Sequence, residues 1–296
     1  MNSPFDSIGL EVSGERAFNV LAEQAGTQGE VSRLARRGAV LHGRCWKLGE
    51  GLEVWTVLYE SETGEVFYAD CRPGFRARFA QRIMPWALTE YDEEGEAIIH
   101  GYLRDSDTEI LFELQNLTEI GVGGFHNQEL HVGLCGLAYE AEVCLDDCLP
   151  VAWQPLDQGS FLSHASQKRD APRENDWSLR GRVLATKQLR NPLTGSELLW
   201  AYLDVHQLKL EVLVNPAALR RDAKREGGMR HNVSRRGGRN SRRESACEPL
   251  AIGQMLTVDV WLQGHVLDRH ALLKAYEGVD ASHTPAAAWR HLKRRN

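Results

Sequence analysis

Four sequence landmarks recur in the same order along the chain, which indicates that one structural unit occurs twice. Each landmark is a short strand-like run or the tetrad that precedes it, and each is weak alone. In order, they pair 41–44 (LHGR) with 179–182 (LRGR), the Trp55 segment with the Trp200 segment, 66–71 with 210–214, and 97–103 with 258–264. An internal repeat in the sequence indicates a repeated structural unit, so the chain is expected to contain two related modules.

Each copy is predicted to contain three strands, a short helix and two further strands. In the first copy the helix is placed at 75–84, where Phe75, Phe79 and Ile83 recur every four residues, and 130–143 is the closing strand. This order resembles the topology of the OB fold, a small Greek-key barrel. SH3-like and split-barrel arrangements stay open. The predicted fold class is mainly β with flanking helices (α+β), built as two tandem OB-like small β-barrels from an approximate internal duplication.

The predicted domain organisation follows from the repeat and from the segments around it. An amphipathic helix over 13–26, ended by Gly26, belongs to an N-terminal helical extension. The segment between the copies has few bulky residues and is typical of a linker. The ranges are 1–36 for the extension, 37–150 for the first barrel, 151–176 for the linker, 177–269 for the second barrel and 270–296 for a C-terminal helical tail.

Positive charge is concentrated in an insertion within the second barrel, 220–245. Between 220 and 243 the chain has ten basic and two acidic residues, so this segment has a net charge of +8 and the remainder has −14. Its glycines, serines and asparagines bury little apolar area, which predicts a disordered loop. Flexible arginine-rich loops release counterions when they bind phosphates, so nucleic acid is the natural partner. The alternative is a solvated insertion that the barrel tolerates.

The predicted nucleic-acid site combines this loop with aromatic side chains of the first barrel, on which bases stack in OB-type proteins. Packing in the core is the competing role for the aromatic residues. The predicted site residues are Arg220, Arg221, Arg225, Arg230, Arg235, Arg236, Arg239, Arg242, Arg243, Trp55 and Tyr59.

No motif in the sequence indicates a cofactor, a catalytic nucleophile or a metal. The chain lacks G-x-S-x-G, a P-loop and H-E-x-x-H, and no G-x-G-x-x-G opens a helix after a strand. A metal site drawn from His126, His131, Cys135, Cys144 and Cys148 matches no standard zinc spacing, so free thiols and surface histidines are favoured. An enzyme whose site forms only in the folded chain, from residues such as His42, His100, Asp70 and Glu60, is an alternative.

Composition and cysteine usage place the protein in the cytoplasm. No signal peptide is expected near Met1, and no apolar run approaches the length that spans a bilayer, so we expect no membrane partner. The six cysteines have no framework spacing, which is typical of a reducing compartment. We predict a non-enzymatic binding or adaptor protein, accessory to single-stranded nucleic acid. The alternatives are a protein-interaction scaffold without nucleic acid, and an enzyme.

Overall fold

The computed structural model describes residues 4–36, 38–91, 95–104, 106, 108–121, 128–144, 154–155, 175–205, 207–221 and 250–267. Most of these residues lie in strands, which confirms the predicted mainly β class. The helices are α1 (Gly14–Gln28) and α2 (Leu117–Ile120), with 3₁₀ turns at Pro4–Ile8 and Pro216–Ala218. The strands are β1 (Glu30–Arg36), β2 (Ala39–Gly49), β3 (Leu52–Ser61), β4 (Val66–Phe75), β5 (Ala80–Tyr91), β6 (Glu96–Leu103), β7 (Glu109–Leu114), β8 (Leu130–Cys144), β9 (Gln154–Pro155), β10 (Asp176–Arg190), β11 (Glu197–Val205), β12 (Leu208–Val214), β13 (Leu219–Arg221) and β14 (Met255–Val266).

The first four strands form a separate antiparallel sheet in the order β1-β2-β3-β4. Gly51 helps to close the tight turn between β2 and β3 with a φ of 87°, a conformation that side chains with a Cβ rarely adopt. Helix α1 packs on one side of this sheet through Leu21, Ala22 and Ala25. The amphipathic helix predicted over 13–26 is therefore present, but it continues past Gly26 and ends at Gln28. The other side of the sheet faces the remaining strands.

The second sheet contains two closed circuits of five paired strands that share the β8–β14 pair. The first circuit runs β5-β6-β7-β14-β8 and returns to β5, and the second runs β10-β11-β12-β8-β14 and returns to β10. In the first circuit three consecutive antiparallel strands are followed by the short helix α2 and a fourth strand, β8. In the second circuit the three strands are followed by the 3₁₀ turn at Pro216–Ala218, the short strand β13 and then the fourth strand of the circuit, β14. The fifth position is filled by the fourth strand of the other circuit, in a parallel pairing with the third strand.

Several local predictions for the first copy differ from this arrangement. The helix predicted over 75–84 is wrong, because β4 ends at Phe75 and β5 begins at Ala80. Pairing of β5 with both β6 and β8 outweighs the four-residue apolar spacing, and Phe79 is exposed while Phe75 and Ile83 are buried. The closing strand predicted over 130–143 is confirmed as β8.

The landmarks that indicated the repeat do not occupy equivalent places. The LHGR tetrad lies in β2 of the separate sheet, whereas LRGR lies in β10 of the second circuit. Strands from both predicted barrels, 37–150 and 177–269, pair in the second sheet, so the boundary between the two units stays a prediction. Most of the predicted linker, the basic insertion and the tail 270–296 lie outside the described residues.

Gly264 lies in β14 where this strand crosses the side chains of the first circuit. A Cβ at this position would overlap the ring of Phe112 and lie 2.8 Å from Cγ1 of Val132. Both neighbours are fully buried, so neither can move into solvent. We therefore expect Gly264→Ala to lower the free energy of unfolding by about 1–3 kcal/mol, as overpacked cores do. Urea denaturation measures this loss, and an unchanged unfolding midpoint would contradict the packing described here.

Candidate functional site

An exposed aromatic cluster lies on the outer side of β5 and β6. Trp86 is 48% exposed and Tyr102 is 42% exposed. Their ring centroids are 6.4 Å apart with an interplanar angle of 28°, and the ring of His100 lies 5.4 Å from that of Trp86. Trp86 occupies a bulge between Pro85 and Ala87, and this irregularity turns its indole outward. The cluster therefore presents aromatic surface to solvent.

Basic side chains extend the same side of these two strands. Side chains alternate along a strand, so Arg82 shares a side with Trp86 across the bulge, and Arg104 shares a side with Tyr102. Both guanidinium groups are half exposed and lie 3.9 and 3.0 Å from the carboxylate of Glu129. One carboxylate thus faces two arginines. We call Arg82, Trp86, His100, Tyr102 and Arg104 the aromatic-basic face.

A second aromatic cluster is used in packing. The ring of Phe79 stacks on that of Tyr202 with centroids 4.4 Å apart, and Tyr202 is followed by Trp200 at 6.3 Å. The Trp200 indole N–H donates to buried Glu211 over 2.7 Å, and the Phe79 backbone N–H donates to the same carboxylate over 2.9 Å. Phe79 covers Tyr202, and Glu211 ties the start of β5 to β11 and β12. Phe79 itself is 44% exposed, whereas Trp200 and Tyr202 are partly buried.

The interface between the two sheets contains a buried carboxylate, Glu53, held by donors from both. Arg76 donates to it over 2.7 Å, Trp55 over 3.0 Å, and His265 Nε2 lies 3.0 Å away. Burial raises the pKa of the Glu53 carboxyl, but the charges and hydrogen bonds of His265 and Arg76 outweigh burial and bring the pKa down to about 2. Glu53 is therefore an ionised structural group and is unsuited to general acid chemistry.

A second buried carboxylate, Glu113, pairs with the enclosed guanidinium of Arg72. Arg72 Nε lies 3.1 Å from Glu113, and Arg72 also donates to Asp70 over 2.9 Å. Trp261 and Gln115 donate to the two Glu113 oxygens over 2.9 and 3.2 Å. Burial lowers the pKa of Arg72, but Glu113 and Asp70 more than compensate and raise it above its ordinary value. This pair joins the two sheets.

The buried thiols have environments that suppress nucleophilic chemistry. Burial raises the pKa of Cys71 to about 12 and raises the pKa values of Cys45 and Cys135 well above the ordinary range. A thiolate is the reactive form of cysteine, so these side chains act as small apolar groups. Within the described ranges no group of three or more His, Cys, Asp or Glu residues could hold a metal ion. His126 and Cys148 of the candidate metal set lie outside those ranges.

Of the two aromatic residues predicted to stack bases, Trp55 is buried and Tyr59 is partly buried. Trp55 is 0% exposed and donates its indole N–H to Glu53, and Tyr59 packs against the core. Both face the second sheet from β3, so their placement fits the packing role that the sequence left open. Trp86 and Tyr102 are among the exposed aromatic residues of the described chain, and neither belongs to the predicted site.

The predicted basic residues are described at only two positions. Arg220 is largely exposed on β13 and forms an ion pair with Glu140 of β8. Arg221 ends β13, whose backbone pairs with β8. The other predicted basic residues, Arg225, Arg230, Arg235, Arg236, Arg239, Arg242 and Arg243, lie outside the described residues, so their role stays a prediction.

Of the residues proposed for an enzyme alternative, His42 and Glu60 contact each other, while Asp70 and His100 have other partners. His42 Nε2 lies 2.6 Å from Glu60, Asp70 accepts from Arg72, and His100 lies 3.1 Å from the hydroxyl of Thr89. Burial lowers the pKa of His42, which Glu60 partly offsets. The His42–Glu60 pair lies on the separate sheet, while His100 belongs to the aromatic-basic face. The four residues therefore form contacts on two different sheets.

Comparisons with known proteins add no family assignment. No protein-family model, curated protein sequence or solved structure matches the chain. Neither helix in the described part of the chain combines the length and apolar character needed to cross a lipid bilayer. The functional argument therefore depends on the geometry of the aromatic-basic face and on the charge distribution of the sequence.

Proposed function

We propose that this protein is a non-enzymatic binding protein for single-stranded nucleic acid, with the aromatic-basic face as its stacking surface. The observation that carries the proposal is the placement of two exposed, near-parallel rings beside two half-exposed arginines on paired strands. Bases stack on exposed aromatic rings whatever their sequence, and arginines neutralise the phosphates between them. The basic segment 220–243 adds the longer-range electrostatic attraction.

The strand pairing supports the view that the two circuits are OB-like modules. Each has five strands, with the third and fifth positions paired in parallel. In OB folds the outer side of strands two and three binds oligonucleotides. The corresponding strands of the first circuit are β6 and β7, and β6 carries His100 and Tyr102. The modules have exchanged one strand each, which explains how two related units share a single sheet.

Binding is tested by fluorescence anisotropy with a labelled oligothymidylate of about 20 nucleotides at about 50 mM salt. Trp86→Ala and Tyr102→Ala are each expected to weaken binding by about 5- to 150-fold, because loss of one stacked base costs about 1–3 kcal/mol. Phe67→Ala is the matched control. Phe67 is 40% exposed but lies on β4 of the other sheet, so its loss should leave the affinity unchanged.

A third variant tests whether the basic segment 220–243 and the aromatic-basic face contribute independently to nucleic-acid binding. Replacing the seven arginines and one lysine between 224 and 243 by serine should reduce the salt dependence of binding and leave the effect of Trp86→Ala intact. Wild-type protein that shows no binding at low salt would overturn the proposal. Equal affinities for wild type, Trp86→Ala and Tyr102→Ala would remove the aromatic-basic face from it.

A protein-interaction scaffold is the second candidate, favoured by the edges of the separate sheet. Among the described strands, β1 and β4 each have a neighbour on one side only. Exposed strand edges accept an additional strand from a partner. Val31 on β1 and Phe67 on β4 are exposed apolar residues at these edges. Absence of nucleic-acid binding at low salt would favour this function.

A further inference from the structure

Arg44 lies in the middle of β2, on the side of the separate sheet that α1 covers. It pairs directly with Thr56 on β3, and directly opposed residues in a sheet share a side. The Thr56 hydroxyl donates to the backbone carbonyl of Ala22 in α1 over 3.5 Å, which places this side of the sheet under the helix. Only 6% of Arg44 is exposed.

The buried guanidinium of Arg44 has no partner among the residues that the structure describes. Its Nη1 is enclosed without any hydrogen bond, and no carboxylate lies within ion-pair distance. The other buried arginine in this region, Arg72, has both Glu113 and Asp70. Burial lowers the pKa of Arg44, and no neighbouring negative charge offsets that effect. A buried cation without a partner is costly, which indicates that a negative group is missing from its surroundings.

The side chain of Arg33 adds positive charge to the same side of the sheet. His42 lies two residues before Arg44, and Arg33 of β1 is directly opposite His42. The positive charges of Arg33 and Arg44 both lower the pKa of His42. The carboxylate of Glu60 contacts His42 Nε2 at 2.6 Å. The charge of Arg44 therefore stays without a matching anion.

We propose that Arg44, with Arg33 beside it, forms a binding site for a phosphate group between α1 and the β1–β2 pair. The guanidinium fork matches the geometry of phosphate oxygens, and two arginines suit a group that carries more than one negative charge. Access is from the edge of the sheet, because β1 is its terminal strand and Val31, directly opposite Arg44, is 50% exposed. The site lies on the separate sheet and is distinct from the aromatic-basic face.

The test is thermal unfolding of the full chain in inorganic phosphate against chloride at equal ionic strength. Wild-type protein should show a saturable rise in Tm with phosphate, since a ligand that binds only the folded state stabilises it. Arg44→Met keeps much of the side-chain volume and removes the charge. It should lose the rise, and without phosphate it should be at least as stable as wild type. Arg44→Lys should respond only at higher phosphate concentration.

Matched controls distinguish the site from general effects of phosphate. Arg190→Met removes an exposed arginine of β10 and should keep the wild-type response, as any stabilisation by ion exclusion would also remain. Trp86→Ala should keep it too, because that residue belongs to the nucleic-acid proposal. An oligonucleotide that suppresses the response in both wild type and Trp86→Ala would identify a backbone phosphate as the ligand, and one without effect would identify a free phosphate compound.

Two results would overturn the phosphate site. One is a wild-type protein whose Tm is the same in phosphate and chloride. The other is an Arg44→Met variant that keeps the saturable response of wild type. If acetate raised the wild-type Tm as much as phosphate at equal concentration, the assignment to a phosphate group would also fail. None of these outcomes depends on whether oligonucleotides bind the aromatic-basic face.

Discussion

Glu113→Gln is expected to lower the free energy of unfolding by about 3–5 kcal/mol, the cost of leaving one member of a buried ion pair without its partner. Arg72 is enclosed between the sheets and lies 3.1 Å from Glu113. Glutamine keeps the shape of glutamate but removes its charge. Its amide N–H₂ must also face either Arg72 or the indole N–H of Trp261, so two donors would oppose each other. Asp70 remains bound to Arg72, so Arg72 keeps one negatively charged partner and the loss of unfolding free energy is limited.

Urea denaturation of wild type and variant measures this loss. The matched control is Glu197→Gln, because Glu197 lies in an exposed pair with Arg190 at 3.7 Å and such pairs contribute less than about 1 kcal/mol. A large loss in Glu113→Gln with little change in Glu197→Gln would show that the polar layer between the sheets holds them together. A change below about 1 kcal/mol in both variants would contradict that role.

The class of the fold and its longest elements could be predicted from local patterns. The periodicity of Ala17, Leu21 and Ala25 predicts the helix α1, and the alternating run that begins at Leu130 predicts the strand β8. These elements have a buried side that the sequence pattern records directly. The pairing of β8 with β5, β12, β13 and β14 has no such local record, because the paired residues are separated in sequence by between 47 residues (Ile83 and Leu130) and 134 residues (Val132 and Val266). Sequence periodicity does not report which strand lies beside which.

The predicted helix over 75–84 shows how tertiary contacts override a local pattern. Phe75, Phe79 and Ile83 have helical spacing, yet Phe75 ends one strand and Ile83 lies inside the next. The arginines between them predicted a polar helix side. In the folded chain Arg76 instead reaches buried Glu53, and Arg82 lies on the aromatic-basic face. Because the predicted helix overlaps β5, the prediction did not include this strand. The aromatic-basic face, which lies partly on β5, was therefore not predicted either.

A signal for the exposed aromatics was nevertheless present in the sequence. Arg104 follows Tyr102 by two residues, just past the end of β6, and Arg82 precedes Trp86 on β5, which is the pattern of a strand with a polar outer side. The sequence predicts a stacking role for Trp55 because it lies in a strand of the first predicted barrel, but its partner Glu53 lies two residues earlier on the same side of β3. A charged residue on an otherwise apolar side indicates a buried hydrogen bond as readily as an exposed surface. Only the burial of the charged residue in the folded chain distinguishes a buried hydrogen bond from an exposed polar surface.

Acid is expected to remove the stabilising contribution of Glu53 over a defined pH range. The carboxyl has an ordinary pKa of 4.5 and a folded pKa of about 2. The folded state therefore binds this proton less readily than the unfolded chain, so the stabilisation is complete above about pH 4.5 and is lost as the pH falls towards about 2. One pKa unit corresponds to about 1.4 kcal/mol, so the contribution lost is about 3 kcal/mol.

Glu53→Gln isolates this contribution, because glutamine does not titrate. The variant should be less stable than wild type near neutral pH, where His265 and Arg76 lose a charged partner. As the pH falls from about 5 to about 2, the difference between the two proteins should shrink by about 3 kcal/mol. Urea unfolding at both pH values measures the change, and all other carboxylates cancel in the comparison. A difference that stays constant across this range would show that Glu53 is not the ionised centre of the layer between the sheets.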